Sequence, residues 1–339
     1  MKHIAYAAAL AAVCSCTPTD EFADSPSGNF EALWKTIDEH YCFLPHKTEL
    51  YWLDWDEVHR RYSSMVHEGM TRAQLFEVLA AMLSELKDGH VNLYSAFDIG
   101  REWSWKEDWP RNYDESIERE LLGTSYRIMS GMKCRVLEDN IAYVRCPSFS
   151  SEMSEGGLDE MMIALAPCNA MVIDIRENGG GLVSAAMQLA SRFTNEPLHV
   201  GYIRHKTGKG RSDFSEMEEQ WLRPGAGARW QKPVAVLTNR GVFSSANEFA
   251  KYMACCPGAV LVGDKTGGGG GLPFSSELPC GWSVRFSACP MYDNKGNLTE
   301  DGIQPDVAAE LGEEWRETGR DGVLEKAREV LRSMAGKRF

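Results

Sequence analysis

Apolar residues in the first third of the chain recur at helical spacing. They lie three and four positions apart in residues 30–41, 55–65 and 75–86. This spacing forms one apolar face of an α-helix, so each run predicts a helix that packs against a core. TRAQ, Thr71 to Gln74, is a capping box and predicts the start of the third helix. Together these elements predict an N-terminal helical domain over residues 29–94.

The third predicted helix is followed by KDGH and the short apolar run VNLY. Gly89 is the residue type that most easily ends a helix in the left-handed conformation. We therefore expect His90 to lie at the start of a short strand. Residues 95–130 are polar and rich in tryptophan, and they form an unassigned connecting segment.

From Ile141 the pattern changes to short apolar runs that alternate with helical patterns. The runs with strand character are IAYVRC, AMVIDI, VAVLT and AVLVGD. Helices are predicted to begin near Ser154, Leu182 and Ser245, and a last helix near 323–334. Continuous apolar strands between helices are typical of a mostly parallel sheet buried on both faces. The fold class is therefore α/β, with the main domain over residues 131–339.

The N-terminus has the pattern of an export signal. The apolar run Ile4 to Val13 is too short to span a bilayer but has the length of a signal-peptide core. It ends in VCSC, which resembles a bacterial lipobox with Cys16 as the lipidated residue; Cys14 fits less well because valine precedes it. We expect residues 1–28 to be a signal peptide and tether that leave the protein lipid-anchored in the cell envelope, at the periplasm or outer membrane. A plain secretory signal is the alternative.

Charge and cysteine spacing restrict the partners. The formal net charge is −13 and no basic stripe is present, so the sequence predicts no nucleic-acid partner. The cysteines after the signal show no CxxC or Cys/His spacing, which predicts no metal site. No GxGxxG or GxxxxGK[ST] motif is present, so no nucleotide cofactor is expected.

Two strand–turn–helix segments carry candidate chemistry. DIRENGGG, Asp174 to Gly181, has glycines that allow backbone N–H groups to approach an anion closely. NRGVFSSANEF, which begins at Asn239, places a serine at a helix start, where a backbone N–H can face a developing oxyanion. Ser245 with Glu248 also matches a capping box, a purely structural alternative, and Ser244 is a competing nucleophile. A serine nucleophile needs a base, and His90 is the histidine with a supporting sequence context.

Five segments in order resemble a known family. KDGH, DIRENGGG, SSANEF, GDKTGGG (Gly263 to Gly269) and EDGIQPDV (Glu300 to Val307) occur as in the tail-specific (C-terminal processing) proteases, tricorn protease and interphotoreceptor retinoid-binding protein. NFEALWKTIDEHYCF, from Asn29, is similar to Bacteroidetes lipoprotein members that lack a PDZ domain. The resemblance implies a ClpP/crotonase-like core of ββα units behind the helical cap.

The resemblance also implies site residues. It places the nucleophile at Ser245, three residues before Glu248. The catalytic lysine of the tail-specific branch falls on Gly269, and Lys265 lies four residues too early. The tricorn branch instead implies His90 as the base and Glu300 as the acid that orients it. Gly89 departs from the serine that precedes the histidine in tricorn.

The oxyanion hole implied by the resemblance consists of the backbone N–H groups of Ala246 and of Gly179 or Gly180. The expected activity is that of a serine peptidase without a cofactor, acting on peptides or unfolded proteins in the envelope. A membrane is expected as a partner only through lipid on Cys16, and the oligomeric state cannot be predicted. Two alternatives remain open: a non-catalytic protein that binds a peptide or hydrophobic ligand, and a crotonase-type acyl-CoA enzyme, for which no basic nucleotide pocket is visible.

Overall fold

A computed structural model describes residues 22–107, 109–312 and 318–336. The predicted lipidation site Cys16 and residues 17–21 of the predicted tether lie outside this range, whereas residues 22–28 lie within it. The main helices are α1 Pro26–His40, α2 Leu44–Tyr51, α3 Trp55–Ser63, α4 Arg72–Ser84, α5 Glu115–Leu122, α6 Glu155–Leu165, α7 Val183–Ala190, α8 Ser245–Cys255 and α9 Gly322–Gly336. The strands are β1 Asn92–Tyr94, β2 Ile99–Arg101, β3 Arg127–Met129, β4 Met132–Val136, β5 Ile141–Arg145, β6 Ala170–Asp174, β7 Leu198–Ile203, β8 Glu218–Leu222, β9 Val234–Thr238, β10 Ala259–Gly263, β11 Gly271–Glu277, β12 Ser283–Tyr292 and β13 Val307–Ala308.

The central sheet has the strand order β13-β10-β9-β6-β5-β4-β3. The five strands from β13 to β5 run parallel, and β4 and β3 continue the sheet antiparallel. Successive residues of its inner strands contribute to two cores. On β9, Val234 and Val236 pack in the core with α6, α7 and α8, whereas Ala235 and Leu237 pack against α9. Burial on both faces explains why these strands are mostly apolar, and their parallel pairing confirms the predicted sheet.

A second, antiparallel sheet has the order β2-β1-β12-β7-β8, with β11 paired to β12. Val284 and Phe286 of β12 lie in the same core as the apolar faces of α1, α3 and α4. The N-terminal helices therefore bury their apolar faces partly against strands from the C-terminal half. The domain boundaries themselves stay predictions. The unassigned segment 95–130 contains β2, α5 and β3.

Most predicted elements are confirmed, with two local differences. Thr71 caps α4 through a complete capping box, as predicted. That helix ends at Ser84, and Lys87, rather than Gly89, has a positive φ of 46°. The second difference is at the start of α8, where the residue that precedes the helix is Ser244 and makes no side-chain capping bond. No described helix is long and apolar enough to cross a membrane.

Candidate active site

Ser244 and His90 come from different sheets and meet at the mouth of a cleft. Ser244 follows β9 and directly precedes α8, whereas His90 lies two residues before β1 of the second sheet. His90 Nε2 lies 2.9 Å from Ser244 Oγ, which is hydrogen-bond distance. Both side chains line the cleft, so a ligand bound there could reach the hydroxyl.

The backbone of Ser244 has a conformation that non-glycine residues rarely adopt. Its φ is 58° and its ψ is −126°, and its N–H donates to the carbonyl of Gly268 at 2.9 Å. A strained residue persists only where its surroundings fix it, and such residues concentrate at functional sites. The sharp turn between strand and helix holds the Ser244 hydroxyl out toward the cleft.

Ser245, the predicted nucleophile, has a different position. It is the first residue of α8, is fully buried, and its Oγ has no hydrogen-bond partner among the described residues. The structure thus brings Ser244, in place of Ser245, to His90. The predicted capping box is not formed either: Ser245 lies inside the helix instead of capping it, and Glu248 pairs with Lys251 at 2.6 Å. The serine that contacts His90 is therefore one residue before the serine that the sequence predicts as the nucleophile.

The imidazole of His90 is enclosed on several sides. Its ring packs against Phe243 with centroids 4.7 Å apart, and its backbone N–H donates to Asp88 Oδ1 at 2.7 Å. Burial lowers the pKa of His90 to about 4; the Asp88 carboxylate opposes this shift and the Arg285 guanidinium adds to it. The ring is therefore neutral at pH 7 and can accept a proton. Because Nε2 faces Ser244, the accepting tautomer carries its proton on Nδ1.

The glycine turn after β6 lies against the serine turn. A Cβ added to Gly180, whose φ is 98°, would lie 2.8 Å from Ser244 Cβ and 3.0 Å from the backbone nitrogen of Ser245. Only glycine permits this approach. The side chain of Asn178 supports the turn: its Oδ1 accepts from the Gly180 N–H at 2.9 Å. Phe243 N–H donates to the Asn178 carbonyl at 3.0 Å and so joins the two turns.

These contacts decide which predicted oxyanion donors are available. The Ala246 N–H already donates to the Phe243 carbonyl at 3.1 Å, and the Gly180 N–H is bonded to Asn178. Among the described residues, no acceptor is present for the N–H of Gly179 or of Ser245. The structure therefore leaves Gly179, of the predicted set, and Ser245 as free donors, and Gly179 lines the same cleft as Ser244.

Glu300 lies in a buried polar cluster with Lys47 and Asp88. Its Oε1 is 3.4 Å from Lys47 Nζ, and its Oε2 has no partner among the described side chains. Burial raises the pKa of Glu300 well above its usual range, the nearby Asp88 carboxylate adds to this, and Lys47 opposes it. No hydrogen bond joins Glu300 to His90 within the described part of the chain, where His90 Nδ1 also lacks a partner.

Asp88 and Lys47 have structural roles that the sequence did not reveal. Asp88 Oδ2 accepts hydrogen bonds from Tyr41 at 2.9 Å and from Ser287 at 3.0 Å, so it joins the residue after α1, the KDGH turn and β12. The KDGH motif contains Asp88 and offered a signal for it. Lys47 donates to the Lys87 carbonyl at 3.2 Å. A lysine in α2 carries no comparable signal in the sequence.

The cleft beside Ser244 has a volume of about 570 Å³. One wall is aromatic: Trp105 stacks on Phe243 with centroids 4.4 Å apart, and Trp103 stacks on Trp105 at 6.3 Å. Such a groove can accommodate apolar side chains of an extended ligand. In the described chain, the eight cysteines are free thiols, and no group of ligating side chains has the arrangement of a metal site.

Comparisons with known proteins show the family of the chain. The family model for peptidase family S41 matches residues 140–309, half of the chain, and the model of the tricorn protease C1 domain matches residues 22–84. The chain belongs to peptidase family S41. This confirms the family resemblance that the five ordered motifs indicate.

Individual S41 relatives resemble this chain to different extents. The carboxy-terminal processing protease CtpA of Bacillus subtilis is 25% identical over 202 residues, which cover 59% of this chain and 40% of the relative. The chain thus spans about two fifths of the curated relative that it matches. A crystal structure of a candidate peptidase from Parabacteroides merdae is 45% identical, covers 91% of this chain and 97% of its own, and has a TM-score of 0.86.

Mature CPAF shows the same fold at much lower identity. Its structure is 12% identical, covers 90% of this chain and 97% of its own, and has a TM-score of 0.68. The α/β fold predicted from the sequence is therefore confirmed as that of S41 proteases.

Proposed function

We propose that this S41 family member is a serine peptidase in which Ser244 is the nucleophile and His90 is the general base. The observation that supports the proposal is the distance of 2.9 Å between His90 Nε2 and Ser244 Oγ. A base must be this close to the proton that it removes. The buried hydroxyl of the neighbouring Ser245 has no such base.

The proposed reaction proceeds through an acyl-enzyme. Neutral His90 takes the Ser244 proton on Nε2 while Oγ attacks the carbonyl carbon of the scissile peptide bond. The carbonyl oxygen becomes an oxyanion, which the N–H groups of Ser245 and Gly179 stabilise. His90 then gives the proton to the leaving amine as the C–N bond breaks. In the second half, His90 removes a proton from water, the resulting hydroxide displaces Ser244 Oγ, and the serine recovers its proton.

We also propose that Glu300 is the acid that orients His90. This part of the proposal rests on the family resemblance. The described contact of Glu300 is with Lys47. The support for the role is that Glu300 is buried in one polar cluster with Asp88, which itself holds the backbone of His90.

A fluorophosphonate probe tests the proposal, because it labels a serine only when a base activates it. We expect labelling of the wild-type protein and of Ser245→Ala, and loss of labelling in Ser244→Ala and His90→Asn. Ser245→Ala is the matched control, since it removes the adjacent hydroxyl. If labelling disappeared in Ser245→Ala and persisted in Ser244→Ala, the nucleophile would be Ser245. An unlabelled wild-type protein that is folded would favour the non-catalytic binding alternative.

We further propose that the protein acts on extended peptides or unfolded proteins in the cell envelope, anchored by lipid on Cys16. The support is the lipobox-like VCSC and the polar tether after it. Acyl chains on one cysteine give stable anchoring, since each buried CH₂ contributes about 0.8 kcal/mol. We expect Cys16→Ser to lose the membrane fraction in cell fractionation and Cys14→Ser to retain it. A mature N-terminus other than Cys16 would contradict the anchor and leave the peptidase proposal intact.

A further inference from the structure

One row of side chains crosses three strands beside the catalytic pair. β1 pairs antiparallel with β2 and with β12, and both pairs share Asn92. On one side Asn92 is opposite Arg101, and on the other it is opposite Arg285. Directly opposite residues of an antiparallel sheet project to the same face, with their Cβ atoms about 5 Å apart. All three side chains line the cleft that contains Ser244.

Neither arginine of this row is neutralised. Arg285 makes no hydrogen bond or ion pair within the described chain, and Arg101 contacts only the ring of Trp103, with 5.4 Å between guanidinium and centroid. Lys106 lies over the same ring at 4.6 Å and adds a third cation to the cleft. The cleft is therefore electropositive, although the whole chain carries a formal charge of −13.

The one acidic side chain that lines the described cleft is already engaged. Glu177 Oε2 lies 3.6 Å from Arg111 Nε, and Glu177 Oε1 accepts from Asn239 Nδ2 at 2.9 Å. It is held by the loop after β9 and does not contact the arginine row. The N–H groups of Arg101 and Arg285 are therefore available to bind a ligand.

The row is also close to the proposed base. His90 is two residues before Asn92 in the chain, and both side chains line the same cleft. Burial lowers the pKa of His90, and the charge of Arg285 lowers it further, so this guanidinium acts on the imidazole. A ligand group bound by the row therefore lies next to the reacting atoms.

We propose that Arg285 and Arg101 bind a carboxylate of the substrate, so that the enzyme prefers peptides with an acidic group near the scissile bond. This inference rests on the proposed peptidase function of the same site. A guanidinium presents several donors in a plane and can bind a carboxylate through two parallel hydrogen bonds. The carboxylate comes from an Asp or Glu side chain or from the free C-terminus of the peptide, since both present the same chemistry.

Fluorogenic octapeptides that are identical except for Glu or Gln at one position, scanned on both sides of the cleavable bond, test the inference. We expect kcat/KM to be about tenfold higher for the Glu peptide at the preferred position, the scale of a hydrogen bond to a charged group. Arg285→Gln should reduce cleavage of the Glu peptide to that of the Gln peptide. Arg285→Lys should retain part of the preference, because it keeps the charge but loses the planar donors.

Arg127→Gln is the matched control, since Arg127 is an exposed arginine on the edge strand β3 and lies outside the cleft. It removes one positive charge from the protein and should leave the preference unchanged. Arg101→Gln provides a second variant of the row. Salt should weaken cleavage of the Glu peptide more than that of the Gln peptide, because exposed charges are screened. Peptides with a free or amidated C-terminus separate the two sources of the carboxylate, and a preference for the free acid alone assigns the site to the chain terminus.

Binding to the Ser244→Ala protein separates this inference from the peptidase proposal. Fluorescence anisotropy with labelled Glu and Gln peptides requires no hydrolysis and should show the same preference of about tenfold. Equal binding of Glu, Gln, free-acid and amidated peptides would overturn the carboxylate site, even if the wild-type protein cleaves them. A preference that survives in both Arg285→Gln and Arg101→Gln would also overturn it.

Discussion

The hydroxyls of Ser244 and Ser245 lie in opposite environments although the residues are neighbours. Ser244 Oγ lies 2.9 Å from His90 Nε2 at a cleft, whereas Ser245 Oγ is buried without a partner. The difference arises because Ser244 belongs to the strained turn and Ser245 to the first turn of α8. The two serines therefore differ in what their replacement should do to stability as well as to chemistry.

We expect Ser244→Gly to be more stable than Ser244→Ala. Glycine adopts a φ of 58° without steric cost, whereas alanine keeps a strain of about 1 to 3 kcal/mol. The free energies of unfolding in urea should differ by at least about 1 kcal/mol, with both variants inactive toward the fluorophosphonate. Ser245→Ala removes a hydroxyl that has no partner, so its stability should stay within about 1 kcal/mol of wild type. Equal stability of the two Ser244 variants would show that the turn is unstrained in solution.

The low pKa of His90 makes a prediction about activity. The reactive form is neutral, so activity should be complete above the pKa of His90 and be lost as the pH falls through it. Because burial lowers that pKa to about 4, the rate of fluorophosphonate labelling should fall to half near pH 4. A solvated histidine would give a midpoint near 6.5. A midpoint at or above that value in a protein still folded by circular dichroism would contradict the buried environment of His90.

The same shift affects stability. Between the unfolded pKa of about 6.5 and the folded pKa of about 4, the unfolded chain binds a proton at His90 that the native protein does not. The contribution of His90 to the free energy of unfolding is therefore fully present above pH 6.5 and declines by about 3 kcal/mol as the pH falls to 4. We expect His90→Asn to lose this part of the pH dependence in denaturant titrations, while acid unfolding from other groups continues.

Gly269 occupies the lysine position of the tail-specific branch, and we expect that lysine to be incompatible with this site. A Cβ at Gly269 would lie 2.6 Å from the ring of Phe243, and the φ of Gly269 is 76°. Since Phe243 packs against His90, Gly269→Lys should displace the base and slow fluorophosphonate labelling by about tenfold or more. Lys265→Ala is the control and should label at the wild-type rate. Faster labelling of Gly269→Lys would show that a Ser–Lys pair can form.

The pairing of Lys47 and Glu300 predicts coupled effects on stability. Lys47→Met leaves a buried carboxyl without its cation and should lower the free energy of unfolding by about 3 kcal/mol at pH 7. The double variant Lys47→Met/Glu300→Gln should lose less than the sum of the single changes, since neither charge remains. The cost of Lys47→Met should shrink as the pH falls and Glu300 becomes protonated, and because burial raises the pKa of Glu300 this decline should begin well above the usual carboxyl range. Additive losses in a double-mutant cycle would show that the two side chains do not interact.

Much of the fold could be predicted from the sequence because it depends on local patterns. The strands β5, β6, β9 and β10 are mostly apolar because helices cover both faces of their sheet. The start of α4 is fixed by four consecutive residues of a capping box. The strands β11 and β12 escaped prediction because their polar positions and prolines, Pro273 and Pro290, interrupt the alternation. The two strands pair with each other, and β12 also pairs with β1 and β7, which lie far away in the sequence.

The order of five motifs determined the family and brought His90, the glycine turn and the SSANEF segment into one hypothesis. Which serine faces the base could not be determined that way, because a shift of one residue at a helix start changes the direction of the side chain and leaves the motif almost unchanged. Tertiary structure decided it through the positive φ of Ser244 and the contact of its hydroxyl with His90 from another sheet. The arginine row was hidden for the same reason: Arg101 and Arg285 are 184 residues apart in number (285 − 101) and become neighbours of Asn92 only when three strands pair.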